Sequence, residues 1–171
     1  MQVSNILHYK NKYPTIGKNV FIAHNACVIG DVVIGDFSSI WFYTLIRGDV
    51  NFIRIGSKTN IQDHCTLHVT TEKFPLHIGN MVTIGHRAVV HGCTIDDECL
   101  IGMGAIIMDG AHIEKHSIVA GGSVVTPGMK VKSGTLVAGI PAKVKRNLET
   151  KEIENIINTA KHYVKIASNY K

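Results

Sequence analysis

Five residues of this chain have the types and spacing for chemistry at a metal ion: Gln62, Asp63, His68, His86 and His91. Neutral imidazole is a favoured zinc ligand, with Zn–N bonds of about 2.0–2.1 Å. An acid near such a histidine can fix its tautomer, and an amide can orient a small polar ligand. His68 and His91 stand 23 residues apart, so whether they meet depends on what positions them.

The positioning element is a repeat six residues long. Aliphatic residues recur at Ile16, Ile22, Val28, Ile34, Ile40 and Ile46, then at Ile55, Ile61 and Leu67, then at Ile78, Ile84 and Val90. An unbroken run follows: Ile95, Ile101, Ile107, Ile113, Val119, Val125, Val131 and Val137. The fourth residue after each aliphatic is nearly always small, as in Ala26, Cys65, Ala88, Cys99 and Ala105, with Met129 the clearest exception. Two linked constraints in each period predict an all-β solenoid, a parallel β-helix of hexapeptide repeats with about seven three-sided coils. The β-helix is expected over residues 15–142, after a polar leading segment at 1–14. An amphipathic helix is expected over 149–170, packed along the outside through Ile153, Ile156, Ile157, Ala160, Val164 and Ala167. Thr150 is the expected N-cap, without a clean capping box. The whole chain, 1–171, is expected to be one domain.

Three breaks interrupt the period. Spacing is nine between Ile46 and Ile55, eleven between Leu67 and Ile78, and five between Val90 and Ile95. The first predicts a bulge or small loop near Val50–Arg54. The second predicts a protruding loop around Val69–His77. All three fall in the middle coils, and local rule-breaking inside a regular repeat is expected at functional sites.

Composition narrows the class. The chain has 171 residues, 45% of them hydrophobic, and a formal charge of +5. No apolar run is long enough to span a membrane, and the first residues lack the apolar core of a signal peptide. The four cysteines lack C-x-x-C spacing, and Cys65 and Cys99 occupy small inward positions as buried reduced thiols. A cytoplasmic protein is expected. The mild basic charge lacks aromatic interleaving, so nucleic-acid binding is not expected.

The period places side chains in columns, with successive coils about 4.8 Å apart. On the third face the residues after each aliphatic are Arg47, His68 and His91. On the second face Asp63 lies under His86, and Gln62 sits beside Asp63. His68 and His91 can therefore share one ion. His86 starts on another face and reaches that ion only from a neighbouring subunit. The pattern predicts a homotrimer with a metal at each interface and one coordination position open. His8, His24, His64, His77, His112, His116 and His162 are read as ordinary surface residues.

The combination of Arg47-Gly48-Asp49, Asn60-Ile61-Gln62-Asp63, His68 and Gly85-His86 through His91-Gly92-Cys93 resembles the γ-class carbonic anhydrase family, over nearly the whole chain. The resemblance implies a left-handed coil. It implies Zn²⁺, with Fe²⁺ or Co²⁺ substituting, held by His68, His86 and His91 at trimer interfaces. It implies hydration of CO2 to bicarbonate by a metal-bound hydroxide. Gln62 matches the glutamine that bonds that hydroxide, and Asn60 the residue that orients it. Arg47, Asp49 and Asp63 match interfacial charges. Tyr163 resembles a tyrosine reaching the site from the terminal helix. Val50 stands where the best-studied members have glutamate, and the loop offers only Glu72. Each turnover must export a proton, so low activity is expected.

Two other functions remain open to the sequence. The ending Val137-Ala138-Gly139-Ile140-Pro141-Ala142-Lys143 is similar to that of hexapeptide acyltransferases, which with acyl-CoA thioesterases form one alternative. A catalytically weak metal-binding homologue is the other.

Overall fold

The computed structural model describes residues 5–170; the first four residues of the leading segment and Lys171 lie outside the described residues. Short parallel strands climb a β-solenoid of roughly seven turns, followed by one helix. The strands form two hydrogen-bonded sheets around a three-sided prism. One sheet carries two faces, because the long strands Cys27–Ile34 and Leu45–Ile55 turn a corner without breaking. The second face is the other sheet, which runs through Ser39–Ile40, Asn60–Ile61, Thr83–Ile84 and Leu100–Ile101.

Repeat positions point inward as their spacing requires. Ile40, Ile46, Ile61, Leu67, Ile84, Val90, Ile101 and Ile107 are fully buried, as are the small residues Ala26, Cys65, Ala88, Cys99 and Ala105. Burying each large aliphatic contributes about 1.5–3 kcal/mol. Inward hydroxyls are satisfied by the next coil: Ser38 Oγ donates to the Gly56 carbonyl at 2.8 Å, and Thr44 Oγ1 to that of Gln62 at 2.7 Å. All four cysteines are free thiols. Burial pushes the Cys65 thiol up to about 12, so it stays protonated.

Most corners take a left-handed backbone three residues after an aliphatic. In the early coils that residue carries a side chain: Asn19, Phe37, Tyr43, Lys58, His64, Met81, Arg87 and Glu98. In the later coils it is Gly104, Gly110, Gly122, Gly128 and Gly134, with His116 interposed.

The breaks in period take specific forms. The nine-residue spacing is a bulge within an unbroken strand, whose register against Cys27–Ile34 shifts between Gly30 and Val32. The eleven-residue spacing is a tight loop. Thr70 N–H donates to the Phe74 carbonyl at 3.0 Å, and Phe74 N–H donates back at 3.3 Å.

The helix spans Thr150–Ser168 and crosses the second face over Ser39–Ile40, Asn60–Ile61 and Thr83–Ile84. It buries Ile156, Ala160 and Ala167. Its N-cap is Glu149, not Thr150, because the Glu152 carboxylate reaches back to the Glu149 N–H at 2.9 Å and closes a capping box. Arg146 holds that carboxylate with two hydrogen bonds, at 2.6 and 2.8 Å. One element is absent from the period: Lys143–Asn147 is an exposed strand antiparallel to Thr135–Ala138. Among the described residues no helix is long and apolar enough to cross a membrane.

Candidate metal centre

On the third face the ladder sets His91 directly opposite His68. Their ring centroids lie 5.1 Å apart, and His68 Nδ1 faces His91 Nε2 at 3.1 Å. Each ring is held from its far side by a carboxylate. His68 Nε2 meets Asp49 Oδ1 at 3.1 Å, and Asp49 also pairs with Arg47. His91 Nδ1 meets Asp109 Oδ1 at 2.5 Å, and Thr70 Oγ1 donates to Asp109 Oδ2 at 2.7 Å.

Burial pushes both carboxyls up, but the hydrogen bonds outweigh it. Bonds from Arg47 and His68 hold Asp49 below its ordinary value, and bonds from His91 and Thr70 do the same for Asp109. Both are therefore ionised near neutral pH and can only accept hydrogen bonds. An acceptor-only carboxylate places a ring proton on His68 Nε2 and on His91 Nδ1. With one proton on each ring, the two nitrogens that face each other are left with lone pairs. Burial, reinforced by the Arg47 charge against the opposing pull of Asp49, holds the His68 pKa below its ordinary value and disfavours an imidazolium there. Two lone pairs 3.1 Å apart call for a shared electrophile. Two ligand nitrogens on one tetrahedral zinc lie about 3.3 Å apart, from Zn–N bonds of about 2.0–2.1 Å. The spacing of these two nitrogens is that of two ligands on one ion.

The second face carries the remaining candidate residues. His86 Nδ1 meets Asp63 Oδ2 at 2.7 Å, which directs its Nε2 away from that carboxylate. Gln62 is buried, and its Nε2 donates to Asn60 Oδ1 at 3.2 Å. Asn60 in turn donates to Thr83 Oγ1 at 2.9 Å, fixing which way both amides point. Tyr163, from the helix, packs edge-on against Trp41 with centroids 5.5 Å apart. Burial raises the Tyr163 pKa, and the Asp63 charge adds to it.

The structure thus brings Arg47, Asp49, His68 and His91 together on one face, and Asn60, Gln62, Asp63, His86 and Tyr163 on another. Among the described residues no three His, Cys, Asp or Glu side chains are grouped to hold a metal. Within one chain Asp49 and Asp63 pair with histidines as well as being candidates for contacts across subunits.

Sequence reasoning missed Asp109 and Thr70. The available signal was an acid one coil from a histidine, here 18 residues on. That signal is weak alone, since His112 with Asp96 and His116 with Glu98 pair the same way. Beside His91 lies an apolar groove of about 350 Å³ lined by Val89, Ile106, Ile107, Met108 and Pro127. A larger open groove of about 590 Å³ runs along Arg54, His77, Asn80 and Lys115 on the first face and includes none of the three histidines.

Comparison with known proteins follows the same lines. The family described as "Bacterial transferase hexapeptide (six repeats)" matches residues 13–48 and 92–127. "Carbonic anhydrase" of Geobacillus kaustophilus is 47% identical over 166 residues, covering 97% of this chain and 91% of that protein. "Gamma carbonic anhydrase 2, mitochondrial" of Arabidopsis thaliana is 46% identical over 167 residues, covering 95% of this chain. The chain spans only 60% of that plant protein's length. A solved "hexapeptide transferase family protein" from Anaplasma phagocytophilum is 42% identical, with a TM-score of 0.92, covering 97% of this chain and 98% of that one. With the hexapeptide coils, the stacked histidines and a Geobacillus relative this similar along nearly its full length, the chain belongs to the γ-class carbonic anhydrase family of hexapeptide-repeat proteins.

Proposed function

We propose that this protein hydrates CO2 to bicarbonate as a metal-dependent homotrimer. The observation that carries the reading is the 3.1 Å approach of His68 Nδ1 to His91 Nε2, with a carboxylate on the far nitrogen of each ring. His68 and His91 of one chain and His86 of the next would hold Zn²⁺, with Fe²⁺ or Co²⁺ as substitutes. When bound, the ion supplies a Lewis acid that brings the ionisation of water towards neutral pH.

The chain's own residues do the rest. Asp49, Asp63 and Asp109 fix the three imidazole tautomers. Asn60 anchors the Gln62 amide, which orients the small oxygen ligand on the open side. Arg47 balances the charge of Asp49. Val89, Ile106 and Met108 offer an apolar approach suited to a nonpolar gas. Tyr163 lies on the Gln62 face, where its hydroxyl stays protonated as a donor. Proton export is the weak step, because Val50 is apolar and the loop offers only Glu72.

The test is CO2 hydration by protein loaded with Zn²⁺, Co²⁺ or Fe²⁺, with metal content and oligomeric state measured on the same sample. Turnover that rises with imidazole buffer supports the reading. Bound metal with no turnover in any buffer points to a catalytically weak homologue. A metal-free protein that turns over acyl-CoA points to the transferase or thioesterase reading, which the Anaplasma relative's name keeps in play.

A further inference from the structure

We propose that Asp109 is a positioning residue for His91, and that the loop between Thr70 and Phe74 serves to hold it in place. The inference rests on the metal-binding reading above. Both oxygens of the Asp109 carboxylate are engaged, one by His91 Nδ1 at 2.5 Å and one by the Thr70 hydroxyl at 2.7 Å. The second bond sets the carboxylate's rotation, which a single bond to a ring nitrogen does not. Thr70 is itself fixed. Its backbone pairs with Phe74, and the Asn51 side chain donates to its carbonyl at 3.1 Å.

Two glycines clear the space. A Cβ on Gly92 would lie 2.6 Å from Asp109 Oδ1 and 2.8 Å from Phe74 Cβ. A Cβ on Gly110 would lie 3.0 Å from the Phe74 ring. Phe74 therefore closes over the two residues that follow His91 and Asp109. The extra residues between Leu67 and Ile78 are what bring Thr70 and Phe74 to this point. The loop then acts as a brace on a ligand, and it needs no acid of its own to do so.

His91 and His68 differ in this respect. Asp49 divides its carboxylate between His68 and the Arg47 guanidinium, whereas Thr70 offers Asp109 a neutral hydroxyl. A carboxylate that gives more of its charge to the ring makes Nε2 a stronger donor.

The experiment uses the full-length protein, stripped of metal and titrated with Zn²⁺ against a chromophoric chelator. Asp109→Ala should weaken binding by about 10–100-fold, the range for loss of such a partner. Asp109→Asn should fall between that variant and the wild type, because it keeps the shape and loses the charge. Thr70→Val should lose less, in the same direction. Ring ¹⁵N shifts of the metal-free protein read the tautomer directly. His91 should carry its proton on Nδ1 in the wild type and on both nitrogens in exchange in Asp109→Ala. If Asp109→Ala does not fold, Asp109→Asn and Thr70→Val carry the affinity test. Wild-type Zn²⁺ affinity in Asp109→Asn and Thr70→Val, or an unchanged His91 tautomer in Asp109→Ala, overturns the proposal. A wild type that binds no Zn²⁺ overturns the metal reading instead, while the tautomer measurement still decides whether Asp109 positions His91.

Discussion

The coils before Ile95 and those after it are built on one period and treat it differently. After Ile95 the aliphatics fall every sixth residue as far as Val137, and most corners are glycine. Before it lie all three breaks in spacing, and the corners carry side chains in a left-handed conformation that disfavours them. Both halves contain histidines bonded to an acid on a neighbouring coil. Only the earlier half sets two such histidines opposite each other. Next to His112 the ladder places Thr94 and Lys130. Pairing an imidazole with an acid is thus something the ladder does anywhere, and a ligand pair needs histidines on successive rungs. The comparison separates most residues that only hold the prism from the candidate ligands, and Asp109 is the late residue that reaches back to one of them.

The largest expected effect lies in the early half. His68→Ala or His91→Ala should remove most bound metal, since each leaves two ligands on an open site. Near-stoichiometric metal by elemental analysis in either variant would break the comparison. In the late half Ile113→Ala should cost about 2–5 kcal/mol in denaturant unfolding, as expected for a fully buried aliphatic. Metal content of the molecules that remain folded should stay at the wild-type level.

A corner exchange gives a smaller effect. Gly122 has φ +67° and nothing within 4 Å of an added Cβ, so Gly122→Ala should cost about 1–2 kcal/mol for conformation alone. Lys58→Gly, at an equivalent early corner, relieves that strain and adds freedom to the unfolded chain. Its net change should stay within about 1 kcal/mol. Equal losses from both substitutions would show that the early corners are not strained.

The smallest effect is on pH. The folded His68 pKa lies below its unfolded value, near about 6.5. Between the two values the unfolded chain binds more protons, so stability of the metal-free protein should fall as pH drops through that window. His68→Gln should flatten the fall. Asp49 and Asp109, also lowered, should add a second loss below the ordinary carboxylate range, near about 3.9.

Much of this was legible in the sequence because a strict period converts position into geometry. Knowing that Ile61, Ile84, Leu67 and Val90 point inward places Asp63 beside His86 and His68 beside His91 with no further information. Legibility failed where the period fails. The spacing from Ile46 to Ile55 does not say that the extra residues bulge inside a strand. The spacing from Leu67 to Ile78 does not say that Thr70 returns to meet Asp109, since a loop's path is set by its own hydrogen bonds. Lys143–Asn147 escaped notice because an exposed antiparallel strand leaves no inward aliphatic to count.

That last strand has a meaning beyond its place in the chain. A parallel β-solenoid is open-ended, and its final coil offers unpaired backbone groups to whatever extended segment arrives next. Lys143–Asn147 answers that invitation on one face by running backwards across it and presenting Lys143 and Lys145 to solvent. A reversed, positively charged strand is a poor template for another molecule's parallel coil. It acts as a chain stopper, ending on that face a ladder that could otherwise propagate from one molecule to the next as a fibre.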